Sequence, residues 1–254
     1  QSLGLDKSLP EQFLIYLKNL MNGDLGNSIS TGQTVLSELI NRLPASAELT
    51  IYAFLTAFCI AVPLGVISAL RQGTFIDHFC RILVTFGVSM PTFVTGLMLI
   101  YVFYFKLNVS PEPIGRLDPF LTTPKTITRF LTIDAILGGN TEVFIAALKQ
   151  LILPCLTMAL FALAPIARMA RASMINAMTS EYIRTARANG LRPRTYIMTY
   201  AFRNAMLPVI MTLGMTFSYM LGANVLVEKV FAWPGLGAFA LDSLIALDYA
   251  PLQG

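Results

Sequence analysis

Four stretches of this sequence contain no charged residue: 49–70, 82–105, 151–167 and 206–227. A helix needs about 20 mostly apolar residues to cross a bilayer. The third stretch is short, but it extends back to about residue 147. Four uncharged runs of this length are hard to bury inside a soluble domain of 254 residues. Only 13% of the chain is charged, against about 25% in ordinary soluble domains. The expected fold class is therefore an all-α, polytopic membrane bundle with spans at about 49–70, 82–105, 147–167 and 206–227.

Prolines lie in or beside every run: Pro63, Pro91, Pro154, Pro165 and Pro208. In water a mid-helix proline costs about 3 kcal/mol, whereas in a bundle neighbouring groups can satisfy the freed carbonyl. Kinked spans are the expectation.

The net charge is +4. A basic balance can signal nucleic acid, but seven arginines fall in one window between two spans: Arg168, Arg171, Arg184, Arg187, Arg192, Arg194 and Arg203. Arg71 and Arg81 flank the other loop on that side. On the opposite side, basic and acidic residues alternate. The positive-inside rule therefore puts segments 71–81 and 168–205 of this multi-pass membrane chain in the cytoplasm. Residues 1–48, 106–146 and 228–254 are then external. No nucleic-acid partner is expected.

Outside the spans, Phe13, Leu14, Leu17 and Leu20 form a helical stripe, and 35–43 reads as a second short amphipathic helix. Segment 108–120 is irregular, 127–137 a short helix, and the Trp233-Pro234-Gly235 turn leads into a helix from about Ala238. Cys59, Cys80 and Cys155 read as small buried hydrophobes, and His78 as a solvated residue in a short polar loop. No metal site is expected. The phosphate-cradling GxxxxGK[ST] loop is absent, as are GxSxG and HExxH. No charged residue of the kind that marks a proton relay lies inside a span. The chain reads as a non-enzyme that binds no cofactor of its own.

The arginine-rich segment has a helix–glycine–helix grammar. A helix from Pro165 to Met178 continues the third span. A short helix over 181–189 stops at Gly190, a residue suited to the left-handed turn that ends helices. Another helix starts near Pro193 and enters the fourth span. Such a short helix can seat in a groove on a partner. Ala186 and Ala188 are small enough to permit close approach.

Two strings here, Tyr182-Ile183-Arg184-Thr185-Ala186-Arg187-Ala188-Asn189-Gly190-Leu191 and Ala201-Phe202-Arg203-Asn204-Ala205-Met206-Leu207-Pro208, resemble the cytoplasmic coupling loop of ABC importer permeases of the dipeptide, oligopeptide and nickel branch. Gly23-Asp24-Leu25-Gly26, Leu43-Pro44 and the stretch from Val227 to Gly237 match in the same order. The sequence departs from the general importer pattern E-A-A-x3-G. Arg184-Thr185-Ala186 occupy the E-A-A positions, and Glu181 lies three residues too early.

The resemblance implies a type I importer fold with six spans in the complete subunit, one before Gln1 and one after Gly254. It also implies a second homologous permease, two cytoplasmic ATPase subunits that carry ATP and Mg, and a periplasmic or lipid-anchored binding protein. The segment Glu181 to Leu191 would dock on the ATPase. Peptide is the first expectation for cargo, but no residue distinguishes it from nickel or glutathione. A membrane scaffold without a pathway is the alternative.

At 100° per residue, Thr85, Ser89, Thr92 and Gly96 share an arc of the second run. Thr212 and Thr216 oppose a Gly214, Ser218, Gly222 stripe on the fourth. The glycine stripe reads as helix packing. The two polar stripes are candidates for the pathway or a subunit interface. The assigned topology predicts that cysteine labels at positions 78 and 189 are shielded from impermeant reagent in intact cells and that labels at 118 and 242 react. The reverse pattern would contradict it.

Overall fold

The computed structural model describes residues 8–253. They form helices α1 (Leu9–Met21), α2 (Val35–Leu70), α3 (Phe75–Val88), α4 (Thr92–Leu99), α5 (Leu131–Leu137), α6 (Thr141–Met178), α7 (Glu181–Ala188), α8 (Pro193–Thr195), α9 (Arg203–Val230), α10 (Leu236–Ile245) and α11 (Tyr249–Gln253). Wider π-helical turns follow α4 (Ile100–Lys106) and precede α9 (Tyr196–Phe202). Three helices are long and apolar enough to cross a membrane, and α3 with α4 forms a fourth, broken pair.

Helix α6 is the hub, packing against α2 along most of its length and also against α3, α4, α5 and α9. The contact with α2 follows from small residues every fourth position: Ala53, Ala57, Ala61, Gly65 and Ala69 are all buried. On α6 they meet Ala159, Ala162, Ala167 and Ala170, also buried. At Gly65 a Cβ would lie 2.5 Å from the Ala167 carbonyl oxygen and 2.7 Å from the Ala170 Cβ. Gly87 on α3 allows a similar approach to the Leu160 carbonyl, at 2.9 Å. Lipid tails are as apolar as leucine, so close backbone approach and dispersion hold such helices together.

Several sequence expectations change. The stretch 35–43 is not a separate helix, and the boundary at residue 48 falls inside α2, which runs unbroken through Pro44 and Pro63. Pro44 frees the carbonyl of Ile40, and Arg129 Nη1 donates to it at 3.2 Å, which meets the need the proline creates. Helices α6 and α9 also continue through Pro154, Pro165 and Pro208. Among the described residues the apolar helices break sharply at Pro91, where α3 and α4 meet at 102°; a residue before proline disfavours the helical conformation. His78 lies in α3, not in a loop, and is exposed as expected. Cys59 is exposed, whereas Cys80 and Cys155 are buried. The helix expected over 127–137 begins at Leu131, because Asp134 gathers the backbone N–H groups of Ile127, Thr128 and Arg129 into a turn. Burial pushes that carboxyl up, but the bonds from Thr128, Ile127 and Arg129 outweigh it and hold it below its usual value.

The glycine stripe does not pack within the chain: a Cβ at Gly214 or Gly222 meets nothing within 4 Å. The packing stripe lies on α2. Gly65→Ala should therefore destabilise the purified protein by about 1–3 kcal/mol, as overpacking does. Gly214→Ala should be neutral or mildly stabilising within this chain. Thermal unfolding in detergent checks this, and equal midpoints for the two variants would contradict it.

Candidate functional site

The arginine-rich end of the bundle is built on α6. Beyond Ala167 the helix continues to Met178, and the chain turns at Thr179 and Ser180 into α7. Ile183 is fully buried and Ala186 nearly so. The two anchor α7 against the chain, with the π-helical turn before α9 as its neighbour. Arg187 lies 5.1 Å from the Tyr196 ring centroid. The opposite face, with Glu181, Tyr182, Arg184, Thr185 and Ala188, is exposed.

Gly190 ends α7 with φ +71°. Its N–H donates to the Arg187 carbonyl and that of Leu191 to the Ala186 carbonyl, at 3.0 and 3.1 Å. This is the paired bonding of a glycine-terminated helix. No atom crowds a Cβ at Gly190, so the glycine is required by conformation alone. Asn189 and Leu191 are exposed beside it. The expectation that Ala186 gives room to a partner is corrected, because Ala186 faces inward and only Ala188 faces out. Glu181 and Arg184 form a loose exposed pair at 3.7 Å, worth little in water.

The polar arc expected on the second run is divided by the break at Pro91. Thr85 and Ser89 are exposed on the α3 side, Thr92 is half-buried at the start of α4, and Gly96 is buried against Phe231 and Thr157. A stripe computed for a straight helix cannot survive a 102° bend. On α9, Thr216 is buried and Thr212 half-buried. Their hydroxyls donate to the carbonyls of Thr212 and Pro208 respectively. The open face of α9 carries Gly214, Ser218 and Gly222 instead.

Buried charge at both ends escaped the sequence reading. At the arginine-rich end, Asp77 of α3 accepts two bonds from Arg171 of α6, at 2.9 Å each. It also accepts from the Ser68 hydroxyl of α2 and the Gly73 N–H. One carboxylate thus ties three helices. At the opposite end Glu48 of α2 accepts from Arg116 and from the N–H and hydroxyl of Thr132. Glu228, at the end of α9, accepts from the Ser46 hydroxyl and the Ala238 N–H, so it caps α10. A Cβ at Gly235 would collide with that carboxylate. The Trp233 indole donates to the Ala45 carbonyl at 2.9 Å. The stretch from Val227 to Gly237 is therefore a ledge that locks α9 and α10 to α2. Glu48 and Glu228 each sit one residue outside an apolar run, and that position was their only signal in the sequence.

Among the described residues no group of acids, histidines or cysteines could hold a metal ion. The model of the family described as "Binding-protein-dependent transport system inner membrane component" matches residues 61–254. A probable D,D-dipeptide transport system permease protein of Escherichia coli K12 is 45% identical over 254 residues, covering 100% of this chain and 74% of that protein. The dipeptide transport system permease protein of the same organism is 39% identical, covering 99% and 75%. A glutathione transport system permease protein of Pectobacterium atrosepticum is 32% identical, covering 100% and 73%. A helical chain that carries a short helix with one exposed face between two long apolar helices, and is matched along all or nearly all of its length by these permeases, belongs to the family of binding-protein-dependent transport system inner membrane components and is a permease subunit of the bacterial inner membrane.

Proposed function

We propose that this subunit forms half of the pathway of a peptide importer, paired with a second, homologous permease, and that α7 is the helix by which a cytoplasmic ATPase moves it. Two ATPase subunits bind and hydrolyse ATP with Mg, and an external binding protein delivers cargo. The observation that carries this reading is the geometry of α7. It is pinned to its own chain by Ile183 and Ala186, ended by a left-handed Gly190, and exposed on the face of Thr185 and Ala188. It follows α6, the helix that the rest of the bundle packs on. A push on that face is therefore passed to the π-helical turn before α9, which in turn packs on α6 and α9. The peptide class is supported by the relatives, whose names give dipeptide, D,D-dipeptide and glutathione as cargo.

In the assembled transporter, cysteines at 185 and 188 should cross-link to the ATPase, and a cysteine at 186 should not. Gly190→Val places a β-branched residue in a left-handed turn at about 1–2 kcal/mol or more. It should leave membrane insertion intact while substrate-stimulated hydrolysis falls severalfold. Cross-linking at 186 equal to that at 185, or normal stimulation in Gly190→Val, would contradict the docking assignment.

A further inference from the structure

At the arginine-rich end a cavity of about 220 Å³ opens between α2, α3 and α6. Arg81, Arg168 and Arg171 all line it. Arg171 is committed to Asp77 by two hydrogen bonds. That carboxylate also accepts from Ser68 and Gly73, so its charge is spent. Arg81 and Arg168 are exposed, and among the described residues neither has an ion-pair partner. Two guanidinium groups beside one cavity with no free acid leave a positive site that an anion would neutralise. Guanidinium forks suit phosphate oxygens in particular.

A second cavity of about 390 Å³ shares Arg81 and Thr85 with the first. Its wall carries Ile82 and Phe86, exposed on α3 at 69% and 66%. A cavity with two free cations on its wall thus runs directly into the apolar surface of α3. The ligand that fits this sequence of surfaces is an amphiphile with an anionic head.

We propose that the cleft binds an anionic phospholipid, with its phosphodiester between Arg81 and Arg168 beside the Thr85 hydroxyl and its acyl chains along Ile82 and Phe86. The assignment rests on the permease reading for its orientation, which puts this end in the cytoplasmic leaflet. Basic pockets between spans on that side are suited to such headgroups. The lipid would bridge α3 to α6 next to the Asp77–Arg171 tie, close to where α6 leads into α7.

The test uses the assembled transporter in detergent, with bound lipid followed by native mass spectrometry. Phosphatidylglycerol and phosphatidylcholine of the same acyl chains are titrated separately. Wild type should favour phosphatidylglycerol. The double variant Arg81→Gln/Arg168→Gln should lose roughly thirtyfold of its apparent affinity, as expected for two surface cations. Arg192→Gln/Arg194→Gln removes the same charge from the loop beyond α7 and should bind as wild type does. Unchanged binding in the first variant, or an equal loss in the second, would overturn the site. Displacement of the lipid by excess inorganic phosphate would overturn the choice of a lipid over a soluble phosphate. If the first variant assembles poorly, photoactivatable phosphatidylglycerol on wild type decides: labelling near Phe86 supports the site and its absence overturns it. Because no step depends on transport, a failed lipid site leaves cross-linking of α7 to the ATPase intact, and failed docking leaves lipid selectivity intact.

Discussion

Without a side chain at Gly65, α2 comes so close to α6 that one more carbon would lie 2.5 Å from a backbone oxygen. The alanines at every fourth position on either side extend that approach along the helix. Both helices are far longer than a bilayer needs, at 36 and 38 residues. Their contact therefore reaches from one end of the bundle to the other. Helices α3, α4 and α9 then all lean on α6, with α4 also packed against α9. In a solvent that gives no hydrophobic reward for helix association, this close seam is the main source of cohesion.

Charge fixes what dispersion alone would let slide. Asp77 with Arg171 and Ser68 sets the register of three helices at the arginine-rich end, and Glu48 with Arg116 and Thr132 ties α2 to α5 and to the loop before it at the other. Removing one partner of a buried pair typically costs about 3–5 kcal/mol, because the survivor is left uncompensated. The ledge from Val227 to Gly237 adds a third anchor through Glu228 and Trp233. In the proposed coupling, a displacement of α7 would reach the opposite end of the bundle through the turn before α9, then α6 and α2, which these contacts join. The break at Pro91 lies outside that path, and α3 lies on its arginine-rich side.

The three long apolar helices and the helix–glycine–helix segment were legible because both rest on local signals, namely apolar length and a glycine stop; the run 82–105, expected as one helix, is instead the bent pair α3 and α4. Which face of each helix is buried was not legible. The stripe of alanines on α2 resembles any apolar run, whereas the glycines of α9 stand out yet face open space. Ala186 looked like a contact residue because it is small, but it is buried beside Ile183. The arc of Thr85, Ser89, Thr92 and Gly96 assumed a straight helix that Pro91 breaks. Arg171 was counted as one more positive-inside charge, although its partner Asp77 lies 94 residues earlier in the chain; no local pattern reveals such a pair. Membership of a transport family sets aside the scaffold alternative.

In the proposed function this bundle converts ATP-driven motion of its partners into passage of a peptide. This is tested most directly by reconstituting the assembled transporter, with its binding protein, into proteoliposomes and following a labelled dipeptide. The dipeptide should accumulate only when both ATP and the binding protein are present. Dipeptide uptake that proceeds without ATP, or ATP- and binding-protein-dependent uptake of a different solute with none of the dipeptide, would contradict it.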